Sequence, residues 1–391
     1  NIIFFSYYFN EDGSGGGARG DFESTFGFII ALQENLLVNP QRWSLVHLPL
    51  HFIILSFVTR VISNIDLLRL LFCVFALSIP LFFLSSILIK KSFNISKTNI
   101  FVLSSAIIFI PSFRYTAIWA NDLITSLTFF IISIYFFNKW ESDKNKNFDK
   151  NCLLNIFFLV LATYTRQYFA VFFFFFLFKY FLNFSYKNFI KLFILCVLSS
   201  LPAFYYTFLF PELLTEQHIS YKAVNYFLLG NTSIICVTLY PIIFVNFIYN
   251  KINIKKLIIP SVIALIVVFI LSLNFKPDNW QGGGVNYLIS QKIFNSNIYF
   301  YFTSFFTLTF FIYLSLEQKI NILLLTIIVF MFFSMQVYQR YYDPMFFIIF
   351  FTLIKTHLID IFYKQTKSCL ILLFYFITYY FISISDIIYK I

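Results

Sequence analysis

The sequence predicts an all-α fold, a polytopic bundle of transmembrane helices. Three observations lead there: charge is scarce, long apolar runs recur over the whole chain, and lysine and arginine fall in alternate loops. Of 391 residues, 60% are hydrophobic and 12% charged, with a mean hydropathy of +0.82. A soluble domain of this size carries roughly 25% charged residues to cover its surface. With half that supply most of the exterior is apolar, and the matching solvent is a lipid bilayer. The Phe/Ile/Leu runs leave no room for a sizeable soluble domain, so residues 1–391 read as a single integral membrane domain. The net charge of +11 would suggest nucleic acid in a soluble protein. Lysines in cytoplasmic loops explain it here, and no nucleic-acid partner is expected. Cys73, Cys152, Cys196, Cys236 and Cys369 lie in or beside apolar segments without metal-type spacing and read as free thiols.

A helix crossing the hydrocarbon takes roughly 17–25 residues, and about thirteen spans are predicted. The opening residues 1–9, NIIFFSYYF, read as the truncated end of the first. The others are 67–89, 99–113, 122–138, 152–164, 168–182, 188–210, 231–249, 257–273, 298–316, 320–337, 344–362 and 369–388. The short pair 152–164 and 168–182 breaks at Thr165-Arg166-Gln167 and reads as a helical hairpin. Segment 47–62 is apolar enough to span, but sidedness argues against it. If it does not cross, Lys90, Lys139, Lys187, Lys251, Lys319 and Lys364 share one side with their lysine neighbours. If it crosses, all of them move outside, against the positive-inside rule. It is therefore placed as an interfacial or re-entrant helix within one long outer loop, residues 10–66.

All seven arginines, Arg19, Arg42, Arg60, Arg69, Arg114, Arg166 and Arg340, then fall on the outer side or at outer helix ends. Lysine suffices for a plain positive charge. Arginine offers a planar, permanently charged fork suited to phosphate and carboxylate, so the arrangement suits a lipid-linked phosphate. Snorkelling or pairing with interfacial carboxylates is the alternative, weighing most for Arg19, Arg42, Arg60 and Arg69.

The outer loop opens with NEDGSGGGARGDFEST. No Gly-Lys-Ser/Thr follows its glycines, which read as a linker. Ser24 or Thr25 is expected to cap a helix running to about Leu37, with Phe28, Ile29, Leu32 and Leu36 as its apolar stripe. That would put Asp21 at the positive end of the helix, with Glu23 beside it. Asp122 sits where one span ends and the next begins. It reads either as a simple N-cap or as the partner of Asp21 across an outer cavity. In the second case one carboxylate acts as general base and the two together are a site for a divalent cation. His47 and His51, four apart, share a helix face. Pro49 lies between them and no Glu follows His47, so the pair reads as a face turned towards the acceptor or donor site, not as a zinc site.

In this order these parts resemble the GT-C glycosyltransferases. Within them they are most similar to the bacterial polyprenyl-phosphate-sugar enzymes that include protein mannosyltransferases and the aminoarabinose transferase of lipid A. The resemblance is carried by Asp21-Phe-Glu-Ser-Thr-Phe after the first span and His47-Leu-Pro49-Leu-His51-Phe in the interfacial helix. Asp122 in Asn-Asp-Leu-Ile-Thr-Ser, Arg166 in Tyr-Thr-Arg-Gln-Tyr and Arg340-Tyr341-Tyr342-Asp343-Pro344 complete it. The family's frequent Glu-Lys-Pro-Pro is absent, and so is its usual Asp-Glu pair at Asp21. The resemblance implies a GT-C-like fold with catalytic-module helices in 67–210 and C-terminal helices in 211–391. It implies inverting transfer of a hexosyl or pentosyl group from a polyprenyl-phosphate donor to a glycan, lipid or protein acceptor. The site would face the exterior of a bacterial inner membrane. Asp21 would deprotonate the acceptor and Asp122 would support it or a divalent cation. Arg166, Arg340, Tyr341 and Arg114 would hold the lipid phosphate as it leaves. Tyr164 and Tyr168 fit a lipid path or an aromatic belt. The loop 274–297, with Trp280-Gln-Gly-Gly-Gly284, fits a cover or a plain linker.

Three other readings share the architecture. A transporter or flippase for lipid-linked sugars would need interrupted helices in matching positions of two halves, and no such repeat is visible in the sequence. A ligase for preassembled glycans is poorly separated by sequence. A non-catalytic membrane subunit would leave the carboxylates dispensable.

Overall fold

The computed structural model describes residues 2–14, 17–43, 45, 47–90, 96–211, 224–273, 284–332 and 337–388, and every regular element among them is helical. The chain divides into two compact units, residues 1–215 with 376–391, and residues 216–375.

The first unit holds α1 (Ile2–Tyr8), α2 (Gly17–Glu34), α3 (Leu50–Val61), α4 (Ile65–Ala76), α5 (Ser78–Leu88), α6 (Lys97–Phe109), α7 (Pro111–Ile118), α8 (Asp122–Glu141), α9 (Lys150–Thr165), α10 (Phe172–Phe181) and α11 (Tyr186–Leu209). Helix α8 is its axis: 72% of its apolar window is buried, and α9 and α5 pack along it. A polar lock holds this interior. Asn155 Nδ2 donates to the Ser133 carbonyl and hydroxyl at 3.0 and 2.8 Å, and the Tyr180 hydroxyl donates to Asn155 Oδ1 at 3.1 Å. With partners for each of these atoms, polar side chains survive in an apolar core.

The second unit holds α12 (Val224–Ile248), α13 (Ile254–Ser272), α14 (Gly284–Lys292), α15 (Ile298–Glu317), α16 (Ile320–Phe330), α17 (Asp343–Thr352) and α18 (Asp360–Lys364). The last helix, α19 (Thr366–Ile388), gives its residues up to 375 to this unit and the rest to the first.

Among the described residues seven helices are long and apolar enough to cross a membrane, or nine if two bent pairs are each one span. Of the other expected spans, Lys150–Thr165, Gln167–Phe181 and Ile320–Phe330 have 10–17 residues. At 1.5 Å per residue, even the longest such helix reaches about 25 Å, short of the ~30 Å hydrocarbon core. The expected straight span 344–362 is bent by 102°. Its unwound turn is stitched by Asn321, whose Oδ1 accepts from Lys355 N at 3.0 Å while its Nδ2 donates to the Leu314 and Lys355 carbonyls at 2.9 Å each. Helix α3, twelve residues long, reaches about 18 Å, too short to cross a bilayer upright.

The helix expected from Ser24 or Thr25 begins earlier, at Gly17. Its cap is upstream: Ser14 Oγ accepts from Ala18 N at 2.7 Å and Asp12 Oδ2 from Arg19 N at 2.9 Å. The Ser24 and Thr25 hydroxyls donate back to the Asp21 and Phe22 carbonyls. Asp21 therefore lies within the helix and not at its positive end.

The outward surfaces identify the solvent. Only 11% of the apolar window of α11 and 22% of that of α13 are buried. Phe193, Leu198, Leu201, Phe204 and Phe208 on α11 and Ile258, Ile259, Leu265 and Phe269 on α13 are all exposed. Apolar faces of this extent do not persist in water. The chain is a helical, multi-pass membrane protein.

Candidate functional site

Helix α7 ends in a left-handed turn. The Asn121 N–H donates to the Thr116 carbonyl at 2.9 Å and the Ala120 N–H to the Ala117 carbonyl at 3.3 Å, with Ala120 at φ +43. This closing pattern usually places glycine at the left-handed residue. Asn121 then caps α8, its Oδ1 accepting from Leu123 N at 3.0 Å. The next residue, Asp122, starts the helix, where the exposed peptide N–H groups favour an anion.

The break between α9 and the 3-10 turn Gln167–Val171 supplies the countercharge. Arg166 caps α9 in an extended conformation. Its Nη2 lies 2.5 Å from Asp122 Oδ1 and donates to Asn121 Oδ1 at 3.3 Å, and its Nη1 donates to the Tyr168 hydroxyl at 3.0 Å. Both members of this ion pair are buried, Asp122 at 5% and Arg166 at 2% exposure. The second oxygen, Asp122 Oδ2, has no hydrogen-bond partner and lies 3.9 Å from His47 Nε2. His47 Nδ1 is 3.3 Å from Gln167 Oε1. His47 is the more open wall of the cluster, its side chain 19% exposed.

His51 faces the same junction from α3. Its Nδ1 is 2.9 Å from Thr125 Oγ1, and its ring also bonds the Ala120 carbonyl. Burial pushes its pKa down to about 4, outweighing the nearby Asp122 carboxylate. His51 is thus a neutral tie between α3 and the start of α8, where a residue lining a substrate site was expected.

The structure brings Asp122, Arg166, His47 and His51 together in one unit. Asp21 is half-buried on α2 and is not among the partners of Asp122. It falls seven and eleven residues before Phe28 and Leu32, on the stripe that meets α3; Phe28 packs edge-on against Phe52 with ring centroids 5.5 Å apart. Glu23 is exposed and pairs with Arg19 at 2.7 Å. The Arg166 guanidinium occupies one oxygen of Asp122.

Arg114 is committed elsewhere. Its Nε and Nη2 donate to the two carboxylate oxygens of Glu11 at 3.1 and 2.9 Å, its Nη1 to the Phe109 carbonyl at 2.7 Å, and its guanidinium lies 4.0 Å from the Tyr380 ring centroid. Arg114 and Glu11 are both fully buried. Its fork holds a carboxylate of the chain itself in place of the expected lipid phosphate.

Arg340 and Tyr341 belong to the second unit, in the 3-10 turn Gln339–Tyr341. The buried guanidinium lies 5.3 and 5.7 Å from the Tyr338 and Tyr341 ring centroids. Beside it, Gln339 bonds Asp343, which also accepts from Thr238 Oγ1 at 3.2 Å. Gly284, at φ +67, comes so close to Gln339 that a Cβ would collide with Gln339 Oε1. Of the expected covering loop 274–297, residues 274–283 lie outside the described residues.

Sequence reasoning missed Asn121, Thr125 and Gln167 as the groups that orient the cluster, and Glu11 as the partner of Arg114. Asn121 carried a signal, being a capping residue type directly before Asp122. No family model, curated protein or solved structure matches the chain.

Proposed function

We propose that the protein is a membrane glycosyltransferase of the GT-C kind. It moves a sugar from a polyprenyl-phosphate donor to an acceptor hydroxyl on the outer face of the membrane. The observation that carries this reading is the buried Asp122–Arg166–His47 cluster at the start of α8, with one carboxylate oxygen left without a hydrogen bond. The order of motifs shared with that family supports it, and so does the charge of the two ends of α8. Arg69, Arg114 and Arg166 gather at the Asp122 end, while Lys139 lies in the last turn and Lys179 pairs with Glu141 at 2.7 Å.

In this mechanism the donor phosphate takes over hydrogen bonds from Arg166, whose fork suits it. Asp122, released from the ion pair, accepts the proton of the acceptor hydroxyl with His47 alongside. The acceptor oxygen attacks the anomeric carbon, the bond from that carbon to the phosphate oxygen breaks with inversion, and Arg166 stabilises the charge on the leaving phosphate. Asp21, on the face of α2 turned to α3, is the second carboxylate of the reading.

The test uses the full chain in liposomes with a radiolabelled sugar on a polyprenyl phosphate. Asp122→Asn is expected to lower transfer by about 10²–10⁴-fold and also to lower the melting midpoint, because the buried Arg166 loses its carboxylate. Full turnover in that variant would end the reading.

A second reading, a transporter for lipid-linked sugars, draws on the two bent helix pairs. Lys97–Phe109 meets Pro111–Ile118 at 63°, and Gln339–Thr352 meets His357–Lys364 at 102°, one pair in each unit. Discontinuous helices line transporter binding sites. Passage of the labelled lipid between leaflets with its sugar intact would favour it.

A further inference from the structure

A cavity of about 400 Å³ opens in the first unit away from the Asp122 cluster, with Arg19, Glu23, Arg69, Trp119 and Phe22 on its walls. It does not share a lining residue with that cluster. Arg69, at 6% exposure, is held in place by hydrogen bonds to two neutral groups. Its Nε donates to the Ile118 carbonyl at 3.1 Å and its Nη2 to Asn10 Oδ1 at 2.9 Å. Its carboxylate contact is Asp66, 3.5 Å away and itself 77% exposed. A guanidinium has five N–H groups, so Arg69 keeps donors for a further acceptor. Arg19 adds a second guanidinium. The two lie 3.8 and 5.8 Å from the Trp119 ring centroid. Glu23 holds Arg19 in an exposed pair one helical turn away, the kind that contributes little and yields readily.

The level of the cavity in the bilayer follows from its neighbours. Ile65 and Arg69 lie in the first turns of the candidate span Ile65–Leu88, and Trp119 directly follows the bent pair ending at Ile118. Span ends lie at headgroup depth, where tryptophan is enriched. There the abundant anion is the phosphodiester of a lipid, and a cavity of this size takes a headgroup.

We propose that this cavity binds the phosphate of an anionic membrane lipid, with the phosphate on Arg69 and Arg19 and the rest of the headgroup against Trp119 and Phe22. The site is independent of the glycosyltransferase reading and stands or falls without it.

The test measures the melting midpoint of the purified chain in a neutral detergent, titrated with short-chain phosphatidylglycerol, short-chain phosphatidylcholine or inorganic phosphate. Phosphatidylglycerol is expected to raise the midpoint saturably, and the other two to leave it unchanged. Arg19 is exposed, so Arg19→Glu should fold normally and bind the lipid about tenfold more weakly, the loss of one charge-assisted contact. Arg69→Gln should abolish the shift. An equal shift with phosphatidylcholine or with inorganic phosphate overturns the proposal, and so does an undiminished phosphatidylglycerol shift in Arg19→Glu.

Discussion

At His51 the fold requires a neutral ring, because Thr125 and the Ala120 carbonyl engage it and burial holds its pKa near 4 against 6.5 for a free imidazole. Between those two values the unfolded chain binds a proton that the folded chain does not. Stability from this residue is therefore complete above pH 6.5 and falls as the pH drops towards 4, by on the order of 3 kcal/mol in all. The expected outcome is a lower melting midpoint at pH 5 than at pH 7.5, with a smaller drop in His51→Gln. An identical pH response in the variant would show that other groups set the acid sensitivity. The neighbouring Asp122–Arg166 pair illustrates what one sequence conceals. Both residues were legible as unusual charges at helix ends, but their contact joins residues 44 apart and depends on the exact break after Thr165.

At the scale of elements, the turn between α7 and α8 positions the cluster, and Ala120 is its strained point. A left-handed alanine costs about 1–2 kcal/mol that glycine does not incur, partly offset by the greater freedom of glycine when unfolded. Ala120→Gly is expected to leave the melting midpoint unchanged or raised by a few degrees. Ala120→Val, with a branched side chain in that conformation, should lower it clearly. Tolerance of valine together with loss of stability in glycine would contradict the strain. The break at Thr165-Arg166-Gln167 was readable because it interrupts the apolar runs locally, whereas the non-crossing placement of α3 was read from the sidedness of the lysines. The start of α2 at Gly17 was not, since its cap comes from Asp12 and Ser14, on the far side of a glycine run that reads as a linker. The bend after α17 was equally hidden, because Asn321, on a different helix, satisfies the unwound peptide groups.

For the whole molecule, the sequence shows an apolar exterior through composition alone, and the lipid-facing surfaces of α11 and α13 agree with it. Which face is outside was argued from lysine and arginine, and a labelling experiment decides it. In a chain whose five cysteines are changed to serine, Arg42→Cys is expected to react with a membrane-impermeant maleimide applied from outside intact cells. Lys144→Cys should react only after the membrane is opened. Both positions are exposed, so a reversed pattern would place the Asp122 cluster in the cytoplasm and remove the proposed donor from its reach.

The closed pair of Glu11 and Arg114 has a consequence for biogenesis. The two residues are 103 positions apart, and a ribosome adds roughly 5–20 residues per second. Glu11 therefore waits on the order of ten seconds for its counterion, and the α4, α5 and α6 segments emerge in between. The bond that ties the chain just after α1 to α7 therefore forms only once α7 has been made.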